Sequence, residues 1–211
     1  MTNTLDISNL FDDQLFAIPF FKFVSQDCAL DAADMSLITK NCKLVSFEKG
    51  DVLLNAGTEC NYIYFILSGE AISYFNDHTG KTTIWFFHFN RPESYVKNIF
   101  AVDYKSFLSG APSTISIEAL SKLVAIRFSK EDIKIIKQDS SFFKSWINLI
   151  NERALIMIYD RLSALLTLSA TERYKNLLKE EPYLLNMFTS YHIASYIDIA
   201  PPSLSRIRKK I

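Results

Sequence analysis

Between Ser140 and Leu168 the chain carries neither Gly nor Pro, and its apolar residues recur at helical spacing. Phe143, Ile147, Ile150, Ala154, Met157, Ala164 and Leu168 follow the alternating three–four step of a paired-helix seam, interrupted only by Arg161. A second stripe, Leu155, Ile158, Leu162 and Leu165, runs beside the first. A helix of this length spans roughly 40 Å, longer than a small domain requires. Two stripes on one rod call for two partners. The reading adopted is a helix that pairs with a second copy while also packing on its own domain. The competing reading is one long core helix in a monomer.

The flanks of this rod differ in character. Before it, from Cys42, apolar and polar residues alternate in short aromatic and β-branched runs: Leu44–Lys49, Val52–Leu54, Tyr62–Leu67, Ala71–Phe75, Lys81–Phe89, Thr114–Glu118 and Lys122–Phe128. Turn signals separate them, as in an antiparallel sheet or barrel. All five glycines lie between positions 50 and 110, where the chain must reverse. Short helices are expected over residues 3–41, with Phe16, Phe20, Phe21, Phe23 and Val24 covering a core. Ser94–Ser109 lacks a clear period.

After the rod, Ser169 and Glu172 make a capping box for a helix reaching to about Lys179, followed by Pro182. Ser129 and Asp132 make a similar box ahead of the rod. Tyr183–Phe188 reads as an apolar linker. Thr189-Ser190 then caps a helix ending near Ile197, Asp198-Ile199-Ala200 turns, and Pro201 opens a last helix running to the terminus.

Charge sharpens that last feature. The chain holds 23 basic and 23 acidic residues, so its total charge advertises no polyanion partner. The distribution is uneven. Six Asp and one Lys fall in residues 1–34, whereas Arg206, Arg208, Lys209 and Lys210 crowd the end without an acid. Leu204, Ile207 and Ile211 form an inward face, leaving Ser203, Arg206 and Lys210 outward. Helix, three-residue turn and helix, with a polar outer face, is the layout that enters a DNA groove. Ser203, Ser205, Arg206, Arg208, Lys209 and Lys210 are the candidate contacts. Arg206 suits a guanine edge, and the last three suit phosphates. The competing reading is a solvated basic helix end, which the helix dipole also favours.

Several other chemistries find no support. Cys28, Cys42 and Cys60 are odd in number and lack metal-site spacing, so reduced thiols are expected, with no metal and no disulfide. His78, His88 and His192 are far apart. There is no GxGxxG, no GxxxxGK[ST] and no HExxH, so no enzyme is expected. Trp85, Phe86 and Phe87 can stack on a purine, but aromatics on a strand are more often core. No signal peptide and no membrane-spanning run is evident, which makes a cytoplasmic location the expectation.

The segment HIASYIDIAPPSLSRIRKK resembles the DNA-reading end of Crp/Fnr transcription regulators, and SATERYKNLL is similar to the segment that joins their dimer helix to it. FEKGDVLLNAG, YIYFILSGEAISYF, GKTTIWFF and PSTISIEAL resemble the β-roll of their cyclic-nucleotide-binding domain. The resemblance covers about residues 15–211. It implies an α+β fold: an N-terminal β-roll sensor of about eight strands (1–139), a dimerisation helix (140–168) and a helix-turn-helix domain without a full wing (169–211). It also implies a homodimer bound to a pseudo-palindromic operator, and contact with RNA polymerase.

Three departures qualify it. In the loop where such proteins place Arg before the hydroxyl that grips a cyclic phosphate, this chain has Pro112 before Ser113. The effector pocket assigned by the resemblance is Asp103, Pro112, Ser113 and Thr114. Without the Arg the usual cyclic nucleotide is not expected, unless Arg91, Lys97 or Lys105 substitutes. No cofactor is expected beyond an unidentified small-molecule effector. The turn has Asp198 where Gly is usual, and Pro201-Pro202 leaves no acid to read a base. The sequence ends at Ile211, before a wing. An alternative is a ligand-sensing module with a degenerate reader, acting through a protein partner. A metal enzyme on the same roll would need histidines on facing strands, and only His88 lies on one.

Overall fold

Changes of sequence pattern mark changes of structure in the computed structural model, which describes residues 12–211. The expected helical segment before Asp12 lies outside the described residues. A 3-10 turn, Asp12–Ala17, leads into α1 (Ile18–Val24) and α2 (Ala32–Lys40). Eight strands follow: β1 (Lys43–Phe47), β2 (Val52–Leu54), β3 (Tyr62–Ser68), β4 (Ala71–Asn76), β5 (Thr82–His88), β6 (Phe100–Ala101), β7 (Ser116–Ala119) and β8 (Leu123–Ser129). Two short helices flank β6, α3 (Val96–Ile99) before it and α4 (Tyr104–Ser109) after it. The helical half comprises α5 (Lys130–Asp139), α6 (Ser141–Thr167), α7 (Ala170–Glu180), α8 (Leu184–Met187), α9 (Ser190–Tyr196) and α10 (Pro201–Arg208).

The strands form two antiparallel four-stranded sheets, ordered β1-β8-β3-β6 and β2-β7-β4-β5. The tightest reversal joins β3 to β4. Gly69 sits there at φ +87°, and a Cβ on it would lie 2.3 Å from the Lys122 carbonyl oxygen, so only Gly fits. Phe65, Ile66, Ala71, Ile117, Ala119 and Ile126 are buried between the sheets. One end is covered by Phe20, Phe21 and Val24 of α1, as their aromatic cluster predicts. Full burial of such side chains is worth about 1.5–3 kcal/mol each.

Both expected capping boxes form, at Ser129/Asp132 and Ser169/Glu172. Ser140 caps α6 by accepting from Phe143 N at 3.0 Å. Three expectations change. Ser94–Ser109 is not irregular: α3, β6 and α4 occupy it, too short to show a period but closed by caps at Tyr95/Asn98 and Asp103. The linker before Phe188 contains α8. The last helix ends at Arg208, not at the terminus, with Lys209 as its C-cap.

Candidate functional site

The C-terminal helices α9 and α10, joined by a short turn, form a helix-turn-helix, the expected reader segment. Thr189 caps α9 by accepting from His192 N at 3.2 Å. Asp198 takes φ +53° in the turn, the left-handed conformation that Asp tolerates in place of Gly. Leu204 is buried and Ile207 packs on the same cluster, which fixes the roll of α10 about its axis. Pro201, Pro202, Ser205, Arg206, Lys209 and Lys210 are exposed, and Ser203 is half-buried. Arg206 Nη2 donates to Ser203 Oγ at 3.1 Å, which steadies the guanidinium along the helix surface. Arg208 is exposed but tethered. Its Nη1 donates to Ser190 Oγ at 2.8 Å and its Nε to the Tyr174 hydroxyl at 3.2 Å, so it braces α10 against α9 and α7.

The reader is docked on the β-roll through α9. β5 is the outer strand of its sheet, and an outer strand leaves backbone groups unpaired. Ser195 answers two of them: its Oγ donates to Thr82 O at 2.8 Å and accepts from Ile84 N at 3.1 Å. Phe87 of β5 stacks on Phe188 at 4.0 Å between ring centres. Ion pairs join the two parts at Lys81–Asp198 (2.6 Å) and Lys97–Glu181 (2.7 Å), the second largely buried. At the centre lies Arg161. Its Nη2 donates to the carbonyls of Ile84 (3.2 Å) and Tyr196, its guanidinium sits 4.0 Å from the Tyr196 ring centre, and its buried Nε has no partner. Burial draws its pKa below the ordinary arginine value, and pushes that of Tyr196 up.

Asp103 and Ser113, assigned to an effector pocket, are brought together, but they satisfy one another. Both are buried, and Ser113 Oγ donates to Asp103 Oδ2 at 2.7 Å. Asp103 Oδ1 accepts from Ser106 N at 3.3 Å as the cap of α4, and Ile115 N donates to Ser113 Oγ at 3.1 Å. Pro112 and Thr114 are exposed beside them. Of the candidate replacement cations, Arg91 pairs with Glu70 at 3.3 Å and Lys97 with Glu181, while Lys105 is exposed on α4. A buried carboxylate thus stands next to the hydroxyl that a phosphate would need.

The proposed dimer seam requires correction. Phe143, Ile150 and Ala154 are buried within one chain, and Ile147 packs on the same core. Met157 is half-buried at the wall of a cavity. The reason is a staple absent from the periodicity: Arg153 makes a forked pair with Asp27 at 2.6 and 2.7 Å, and Trp146 Nε1 donates to the same carboxylate at 3.2 Å. These bonds turn the first half of α6 onto its own domain. The face left in solvent is Leu155, Ile156, Tyr159, Leu162 and Leu166. It includes two members of the second stripe.

Sequence reasoning missed Arg161, Arg173 and Ser195 as members of the joint. The one available signal was that Arg161 breaks an otherwise apolar seam. His88 is buried and packs through Nε2 against Ser73 Oγ at 3.0 Å, Trp85 lies edge-on to Phe75, and Cys42 and Cys60 are buried free thiols. Among the described residues, no His, Cys, Asp and Glu gather as a metal site, and no helix is long and apolar enough to cross a membrane.

Residues 44–140 match the family model of the cyclic nucleotide-binding domain. No curated protein sequence matches. Among solved structures, the chain is similar to FixK2 from Bradyrhizobium japonicum, with 16% identity, 80% of this chain and 83% of that one covered, and a TM-score of 0.66. It is also similar to the c-di-GMP-responsive global regulator CLP of Xanthomonas campestris (13% identity, 85% and 91% covered, TM-score 0.65). A Crp/Fnr-family transcriptional regulator from Eubacterium rectale gives 16% identity, 86% and 83% covered, and a TM-score of 0.63. The fold of this chain, roll, rod and helix-turn-helix, is the fold of these Crp/Fnr-type regulators.

Proposed function

We propose that this chain is a sequence-specific DNA-binding transcription regulator that acts as a homodimer. The observation that carries the reading is α10. Leu204 anchors it from behind, the Asp198 turn sets its angle to α9, and its outer surface presents Ser205, Arg206, Lys209 and Lys210 to solvent. Docking on β5 uses α9, so it leaves that outer surface open. Arg206 reads a base edge, while Lys209 and Lys210 contact phosphates; Arg208 contributes by holding the helix in place. The exposed apolar face of α6 supplies the pairing surface, because a twofold axis along one rod matches a stripe to itself.

The β-roll does not take a cyclic nucleotide in the usual way. A cyclic phosphate placed at Ser113 would lose the missing guanidinium and meet the buried Asp103 carboxylate. The roll is retained as a frame that positions rod and reader.

The test is duplex binding by fluorescence anisotropy, on sites selected from random DNA. Arg206→Ala is expected to weaken the best site by about 1–3 kcal/mol and to relax preference at one base position. Replacing Lys209 or Lys210 with Ala should weaken all sequences alike and lower the salt slope by about one. An Arg206→Ala protein that binds its best site as tightly as before rules out the base-reading role. No salt-sensitive duplex binding at all would instead favour a reader that works through a protein partner.

A further inference from the structure

Where β5, the second half of α6 and α7 converge, the structure encloses a cavity of about 720 Å³, partly open to solvent. That volume lies within the range of small-molecule sites. Its wall mixes apolar and aromatic surface (Phe86, Met157, Tyr196) with two arginines, Arg161 and Arg173. None of the cavity's lining residues belongs to the Asp103–Ser113 region.

The charges on this wall do not cancel. Lys97 is spoken for by Glu181 and Arg153 by Asp27. Glu180 pairs outward with Lys179, and Asp160 is exposed. Arg161 and Arg173 have no carboxylate within 4 Å among the described residues. Arg173 donates to the carbonyls of Ile197 (2.8 Å) and Leu168 (2.7 Å), Arg161 to those of Ile84 and Tyr196. Carbonyl dipoles solvate a guanidinium but do not neutralise it. Arginine cannot relieve the cost by losing its proton. Arg161 is half-buried; Glu181 and Asp198 act on it only from beyond ion-pair distance, and its buried Nε finds no acceptor, which is a costly arrangement for a fold to keep.

We propose that this cavity binds a small organic anion, with a single carboxylate or phosphate held between Arg161 and Arg173 and an aromatic or apolar body against Phe86, Met157 and Tyr196. The anion completes the charge balance that the chain leaves open. Because the walls come from the β-roll, the rod and the reader together, the ligand fits only the docked arrangement. It therefore favours that arrangement over any in which the reader has left β5. The binding step stands independently of DNA recognition; its regulatory consequence rests on that reading.

The experiment is thermal unfolding of the full chain with about 10 mM benzoate or phenyl phosphate, and with benzyl alcohol as the uncharged control. Either anion should raise Tm by about 3 °C while the alcohol leaves it unchanged. Arg161→Gln should abolish the rise. Ala164→Phe, which fills the cavity and keeps every charge, should abolish it too, so the result does not hang on a variant that disturbs the joint. No rise with either anion, or an equal rise in both variants, overturns the proposal. Binding is read without DNA: loss of duplex recognition would leave a positive result standing, whereas intact duplex binding with no anion response would remove only the cavity assignment.

Discussion

At the scale of single residues, position in the fold decides what a side chain can do. His88 is an example. It is fully buried on β5, its Nε2 faces Ser73 Oγ and its Nδ1 has no partner, so burial lowers its pKa from the ordinary 6.5 to about 4. Between those values the unfolded chain binds a proton that the folded chain refuses. The stability His88 allows is therefore complete above about pH 6.5 and is lost as pH falls toward 4, by about 3 kcal/mol over the window. Urea titrations at pH 7.5 and pH 4.5 on wild type and His88→Gln should show a smaller loss in the variant; equal losses would contradict a neutral buried imidazole. In the sequence His88 reads as a surface or packing residue on a strand, and its burial decides for packing. The mutual satisfaction of Asp103 and Ser113 was not, because it depends on the fold of α4 and the following loop across ten residues. Pro112 carried half of that message. The absent guanidinium could be read directly, the added carboxylate only in three dimensions.

At the scale of elements, period and punctuation carried most of the fold. Seven of the eight strands, both capping boxes and the extent of α6 follow from alternation, β-branching and Ser/Thr placement. What failed was short or ambiguous. β6 has two residues and α3 and α8 have four each, too few for a period to emerge. The facing of α6 failed for another reason. Two apolar stripes tell that a helix has two neighbours but not which stripe meets which, and the arbiter is Asp27, more than a hundred residues away, which holds both Arg153 and Trp146. The outward stripe can be tested by sedimentation. Leu162→Glu, on the exposed second half of α6, should shift the mass from two chains toward one without changing the helical signal, whereas the same change should be silent if α6 does not pair. Phe143→Glu, by contrast, belongs to folding and not to pairing, since Phe143 is buried in its own domain.

At the scale of the whole molecule, roll, rod and reader form one body through a joint that no single segment predicts. α9 serves two surfaces, covering the open edge of β5 on one side and supporting α10 on the other. The reader's orientation is consequently tied to the roll, and whatever shifts the joint shifts the angle at which α10 is offered. In the proposed homodimer, paired rods would place two such helices side by side, with a half-site spacing of about one turn of DNA, roughly 34 Å. The most direct measurement is hydroxyl-radical footprinting on a sequence selected from random duplexes. The account predicts two protected half-sites related by inverted symmetry and centred about one helical turn apart, both weakened together in Arg206→Ala. A single protected patch without symmetry, or no protection on any selected sequence, would contradict it.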